Sequence, residues 1–157
     1  MIIEHDLEIA APPETVWAVI TDLASYPAWN PFVVACVSTL EPGAPIAMRV
    51  RVLPFLAQPQ RERIFAHVPG RRLSYGIPMR PFGSLASSRS HSVTPIAPDR
   101  THYVSHFELS GWLAPVVARL LGRRLTRGFT AMSNAIKTRA ETLHKRPEAG
   151  CSKRSSC

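Results

Sequence analysis

The chain predicts an α+β fold: a curved antiparallel sheet wrapped around a long C-terminal helix, with two short helices after the first strand. Three observations predict it. Period-two alternation of apolar and polar residues recurs in six segments between residues 33 and 110, separated by turn signals. A single apolar stripe stepping by threes and fours then runs from Leu113 to Lys145. Before both, one alternating strand is followed at once by Pro12-Pro13-Glu14, a helix start. A helix with one long apolar stripe must find a sheet to cover it. The length of 157 residues suits one domain, and 45% hydrophobic against 19% charged residues supplies a core.

The elements follow in order. In residues 2–9, Ile3, His5, Leu7 and Ile9 share one face and Glu4, Asp6 and Glu8 the other. The first helix runs to about Leu23, burying Val16, Val19, Ile20 and Leu23. A second short element covers Asp22 to Asn30, with Trp17 and Trp29 as structural anchors and Asn30 as a turn or cap residue. Strands are expected at 33–40, 45–53, 60–68 and 71–77, with Ile64, Ala66 and Val68 inward in the third and Pro69-Gly70 as a turn. Pro78 to Ser88 reads as a loop. Residues 87–95 and 100–110 form a hairpin, with Tyr103, Ser105, Phe107 and Leu109 on one face and His102, His106 and Glu108 on the other. The helical stripe is Leu113, Val117, Leu120, Leu121, Leu125, Phe129, Met132, Ile136, Ala140 and Leu143. Gly122 and Gly128 mark close packing or a bend. Residues 1–146 form one domain, and 147–157 form a disordered basic tail.

The net charge is +8, from 19 basic and 11 acidic residues. Part of it lies in the tail and part in Arg119, Arg123, Arg124 and Arg127. These groups lack interleaved aromatic residues and any helix-turn-helix or zinc-finger spacing, so no specific nucleic-acid partner is implied. A peripheral contact with anionic membrane fits the same charges. Cys36, Cys151 and Cys157 make an odd count that is not a disulfide framework and suits a reducing cytoplasm. No run approaches about 18 apolar residues, and the acidic start does not read as a signal peptide. No phosphate loop and no Gly-x-Ser-x-Gly elbow occurs. His102 and His106 are four apart on a strand, about 13 Å at ~3.3 Å per residue, too far to share one metal. No cofactor and no metal is implied.

Ile9-Ala10-Ala11-Pro12-Pro13-Glu14-Thr15-Val16-Trp17, followed by Asp22 and Tyr26-Pro27-Ala28-Trp29-Asn30-Pro31-Phe32, resembles the opening of the SRPBCC (START, birch-pollen-allergen-like) superfamily. More narrowly it resembles the polyketide cyclase/dehydrase branch. Pro69 to Tyr75, Phe107 to Pro115 and Gly128 to Met132 resemble that family's middle turn and closing helix, so the likeness covers residues 2 to 145. It implies the helix-grip fold, with a cavity between helix and sheet. It does not imply one activity, because the superfamily includes lipid carriers, cyclases, hormone receptors and chaperone activators. The chain departs from the branch at Arg89-Ser90-His91-Ser92-Val93, where His-x-Phe-x-Leu is common, so two polar groups enter the inferred pocket.

Alternation turns Arg89 and His91 inward with Val93. An inward histidine can serve as general acid or base, which makes His91 the candidate catalytic residue. An inward arginine can hold a ligand carboxylate or phenolate. Tyr75, Tyr103, Phe107, Phe129 and Met132 complete the candidate ligand-binding set. Cys36 reads as a small buried apolar residue. The function expected is the binding or carriage of a small hydrophobic, aromatic or lipid-like molecule, driven by desolvation. Two alternatives stand beside it: a cyclase or dehydratase using His91 with Tyr75 or Tyr103, and a membrane-associated lipid or quinone carrier. The enzyme reading is weakened because no Asp or Glu is expected to point inward. Whether two copies pair as a homodimer is left open.

Overall fold

The computed structural model describes residues 1–53 and 56–145. The tail expected at 147–157, with Cys151 and Cys157, lies outside the described residues. The chain order is β1 (Ile2–Ile9), α1 (Pro13–Thr21), a 3-10 turn (Leu23–Ser25), α2 (Tyr26–Trp29), β2 (Val33–Val37), β3 (Pro45–Leu53), β4 (Leu56–Val68), β5 (Arg72–Gly76), a second 3-10 turn (Pro81–Gly83), β6 (Ala86–Ala97), β7 (Arg100–Ser110) and α3 (Ala114–Lys145). The seven strands form one antiparallel sheet in the order β1-β7-β6-β5-β4-β3-β2. Strands β2 to β7 are a simple meander. The first strand pairs with the last, and α1 and α2 carry the chain from that edge to the opposite one. The sheet curls around α3, as the helix-grip expectation requires.

Local chemistry sets the boundaries. Pro13 opens α1, where a missing N–H costs nothing, and the Asp22 N–H closes it on the Ala18 carbonyl. Thus α1 stops at Thr21, short of the expected Leu23, and Leu23 starts the 3-10 turn. The Asn30 carboxamide oxygen accepts the Phe32 and Val33 N–H groups at 3.0 and 2.9 Å, which turns the chain into β2. Strand β2 ends at Val37 rather than residue 40. The Ser38 hydroxyl accepts the Leu40 N–H at 3.1 Å, and Leu40 takes a left-handed backbone (φ 61°) that no strand continues. Val68 was expected inward but is exposed, because the register of β4 against β5 shifts between Ile64 and Ala66.

Helix α3 has two halves with different jobs. Met132, Ile136 and Ala140 in its C-terminal half are fully buried against the sheet. In its N-terminal half Val117, Leu121 and Leu125 are only half-buried, because they roof a cavity instead of filling it. Leu120, assigned to the stripe from sequence, is 71% exposed: it lies next to Leu121, and one step around a helix is a turn of about 100° away from the sheet. Gly111, at φ 103°, turns the chain into α3, with the backbone of Gly83 and Ser84 so close that a Cβ would sit 2.6 Å from the Ser84 carbonyl oxygen. Trp112 and Leu113 donate their N–H groups to the Gly83 and Ser84 carbonyls, fastening the 78–85 loop to the helix start.

Gly128 shows close packing, not a bend. A Cβ there would lie 2.2 Å from the Phe32 ring, which meets Phe129 edge-on at 5.0 Å. Gly128→Ala is expected to gain about 1 kcal/mol of helix propensity and to lose about 1–3 kcal/mol by displacing Phe32. Denaturant unfolding should therefore show net destabilisation; a stabilised variant would mean that the ring moves freely.

Candidate functional site

The register of β4 to β7 and β1 determines which inward side chains become neighbours. Tyr75 pairs with Arg89 and Arg89 with Phe107, so these three form one row across β5, β6 and β7. The next row is Leu73, His91 and Ser105, with His5 of β1 beyond it. Tyr103 pairs with Val93 in the third row, diagonally beside His91. This geometry brings two tyrosines, a histidine and an arginine together on the concave face.

Arg89 is 3% exposed and His91 0% exposed. Arg89 Nε donates to His91 Nε2 at 3.2 Å. Because Nε2 accepts that bond, the proton of the neutral ring sits on Nδ1, which donates to the Tyr103 hydroxyl at 2.7 Å. The Tyr75 hydroxyl lies 3.3 Å from the same Nε2 and shares its single lone pair with Arg89. Burial, reinforced by the positive charge of Arg89, holds the His91 pKa well below its usual value and so keeps the ring neutral. Burial likewise raises the Tyr75 and Tyr103 hydroxyl pKa values, although the Arg89 charge opposes it. Arg89 Nη2 donates to Ser105 Oγ at 3.1 Å and approaches Met132 Sδ at 3.6 Å, and the guanidinium carbon lies 4.1 Å from the centre of the Phe129 ring. Its Nη1 is buried without a hydrogen-bond partner.

Between this wall and α3 lies a cavity of about 240 Å³. Val50 and Met48 of β3, Phe107 and Leu109 of β7 and the α3 roof make it largely apolar. Of the residues singled out from sequence, Tyr75, Arg89, Phe107, Phe129 and Met132 line it. His91 and Tyr103 do not; they lie behind Arg89 and Tyr75 as the layer that holds them. His102 and His106 are on the opposite face, paired with Asp6 at 2.7 Å and Glu4 at 2.9 Å. Cys36 is buried, and its thiol pKa is pushed up to about 12 by burial and by the charge of Glu62, so it is a poor nucleophile.

Glu62 is the residue the sequence reading missed. It lines the cavity, contrary to the expectation of no inward acid. The signal was there: Glu62 is two residues from Ile64 and so shares its inward face. Burial raises its carboxyl pKa from 4.5 to about 7, partly offset by the positive charge of Arg89. Gln58, Gln60 and Ser87 add the other polar groups of the lining.

A carboxyl that titrates near 4.5 when unfolded and near 7 when folded binds more protons in the folded state across that interval. Stability then falls as pH rises through it. Relative to Glu62→Gln, the wild-type chain is expected to lose stability between about pH 5 and pH 8. Urea midpoints of the two proteins measured across that range check this, and parallel curves would contradict it.

The family model described as polyketide cyclase / dehydrase and lipid transport matches residues 2–141. A START superfamily protein from Mycobacterium smegmatis superposes with a TM-score of 0.68 at 19% identity, over 90% of this chain and 98% of that one. The Zhui aromatase/cyclase from Streptomyces sp. R1128 gives 0.69 at 18% identity, over 96% and 98%. A norcoclaurine synthase from Thalictrum flavum gives 0.67 at 17%, over 92% and 96%. At these identities the likeness shows a shared fold. No curated protein gives a significant match. With a family model spanning nearly its whole length and a sheet curled around α3, the chain belongs to the polyketide cyclase / dehydrase and lipid transport family.

Proposed function

We propose that this protein binds and carries a small, mainly apolar molecule in the hollow between α3 and the sheet. The observation that carries this reading is the cavity of about 240 Å³, whose walls are mostly Val, Leu, Met and Phe. Desolvation supplies the affinity, about 2.5 kcal/mol for each 100 Å² of apolar surface that a ligand removes from water. Tyr75 and Arg89 are the polar groups that set its orientation. Reduced, buried Cys36 suits a cytoplasmic setting.

A second reading, a cyclase or dehydratase, is favoured by one observation: Glu62, a carboxyl with pKa near 7, shares the cavity with a guanidinium. Such chemistry would run through Glu62 and Arg89. His91 is an unsuitable acid or base, because its ring nitrogens are both bonded and it does not reach the cavity wall.

The cavity end nearest the start of α3 also carries exposed Met79, Phe82, Trp112, Val116 and Leu120, with Phe82 98% and Trp112 65% exposed. Exposed Arg80, Arg119, Arg123 and Arg124 lie on the same loop and the same helix start. Apolar side chains that share these elements with cations suit a peripheral contact with an anionic lipid surface, which we take as this protein's partner in ligand exchange. Among the described residues no helix is long and apolar enough to cross a membrane.

Two measurements follow. The neutral fluorophore N-phenyl-1-naphthylamine is expected to bind saturably, one per chain. Leu125→Trp, which fills the hollow from its half-buried roof, should weaken it at least tenfold with the melting temperature little changed; a probe indifferent to this substitution would remove the carrier reading. Vesicles containing phosphatidylglycerol should sediment the protein at least fivefold better than phosphatidylcholine alone. The double variant Phe82→Ser, Trp112→Ser should abolish the difference. Sedimentation independent of anionic lipid would rule the contact out.

A further inference from the structure

Among the described residues Arg89 is a cation with no ion-pair partner. Glu62, the acid that shares its cavity, stands two strands away and two residues along, which is about 12 Å between backbones. An arginine cannot shed its proton to escape burial, and a buried charge left uncompensated is strongly unfavourable. Three of its contacts are neutral: His91, Ser105 and the Met132 sulfur, with the Phe129 ring beneath. They fix the guanidinium by Nε and Nη2 and leave the two N–H groups of Nη1 buried without a partner, in a side chain that lines the cavity.

Resting on the reading that the cavity holds a ligand, we propose that this ligand is a carboxylic acid, bound as its monoanion with the carboxylate on the Arg89 guanidinium and its apolar body under the α3 roof. The charge state follows from the surroundings. One guanidinium balances one negative charge, and among the described residues no second cation lines the hollow, so a dianionic phosphate monoester fits poorly. A simple phenol stays protonated at neutral pH, whereas a carboxylic acid is ionised. The size follows from the hollow of about 240 Å³, room for a small molecule. A bicyclic aromatic or a medium-length chain is a body of that size.

The test uses matched pairs in which only the charge differs: 2-naphthoate with 2-naphthamide, and decanoate with decanamide. Calorimetric titration of the full chain at neutral pH should show at least one acid binding tenfold or more tighter than its amide. In Arg89→Met the ratio should fall to about one. Equal affinities of acid and amide in the wild-type protein would overturn the proposal while leaving the cavity reading standing. Binding of neither member of either pair removes both. Should Arg89→Met fail to fold, the arginine side-chain ¹⁵N–¹H resonances of the wild-type protein decide: a shift of the Arg89 signal with the preferred acid but not its amide supports the contact, and no shift with the acid overturns it.

Discussion

The uncompensated charge of Arg89 is the constraint around which the concave face is built. A guanidinium this deeply buried has to be held by every group within reach, and the neighbouring side chains are those that can do so without ionising. His91 accepts from it and is kept neutral by the same burial. That neutrality fixes the tautomer, and the tautomer fixes the tyrosines: Nδ1–H points to Tyr103, while Nε2 faces Tyr75 as well as Arg89. Ser105 and the Phe129 ring complete the cradle. A chain of neutral donors and acceptors therefore locks one cation in a single orientation, a preorganisation that a simple hydrophobic core would not need.

The second determinant is how α3 divides its length. Where its side chains interlock with the sheet, at Met132, Ile136 and Ala140, the interior is solid. Toward its start the helix presents Val117, Leu121 and Leu125 to a sheet that has curled away, and the space between them stays open. Phe129 and Met132 stand at the junction, touching both core and cavity. Close approach at Gly128 lets Phe32 pack there too, so the strand edge at β2, the helix and the cavity wall meet in one aromatic cluster.

Much of this was legible in the sequence, because it depends on parity. Strand alternation alone turned Arg89, His91 and Val93 to one side and Tyr103, Ser105 and Phe107 to the same side, and the register then made them neighbours. The helical stripe likewise marked Phe129 and Met132. What alternation could not give was depth. It could not tell that Arg89 reaches the cavity while His91, two residues on, is sealed behind it, since that depends on where the curl opens space. Glu62 was missed for a different reason. Its parity with Ile64 put it inward, but a charged residue in a strand rich in Arg and Gln reads as solvent-facing by composition. Leu120 is the converse: an apolar residue next to the stripe, assigned to it by type when its angle around the helix placed it outside.

Glu62 and Arg89 also show why the hollow is better understood as a binding site than as leftover core space. Burial raises the Glu62 pKa and the charge of Arg89 opposes that rise across the cavity, yet the two form no ion pair. Here the register keeps them on different strands. The carboxyl responds by holding its proton to about pH 7, becoming a neutral hydrogen-bonding group. The guanidinium has no such option and stays charged. The hollow therefore has one fixed positive point, one protonatable point and apolar walls between them. A molecule that satisfies all three must be amphiphilic, with an acceptor at one place and a hydrocarbon body across the rest.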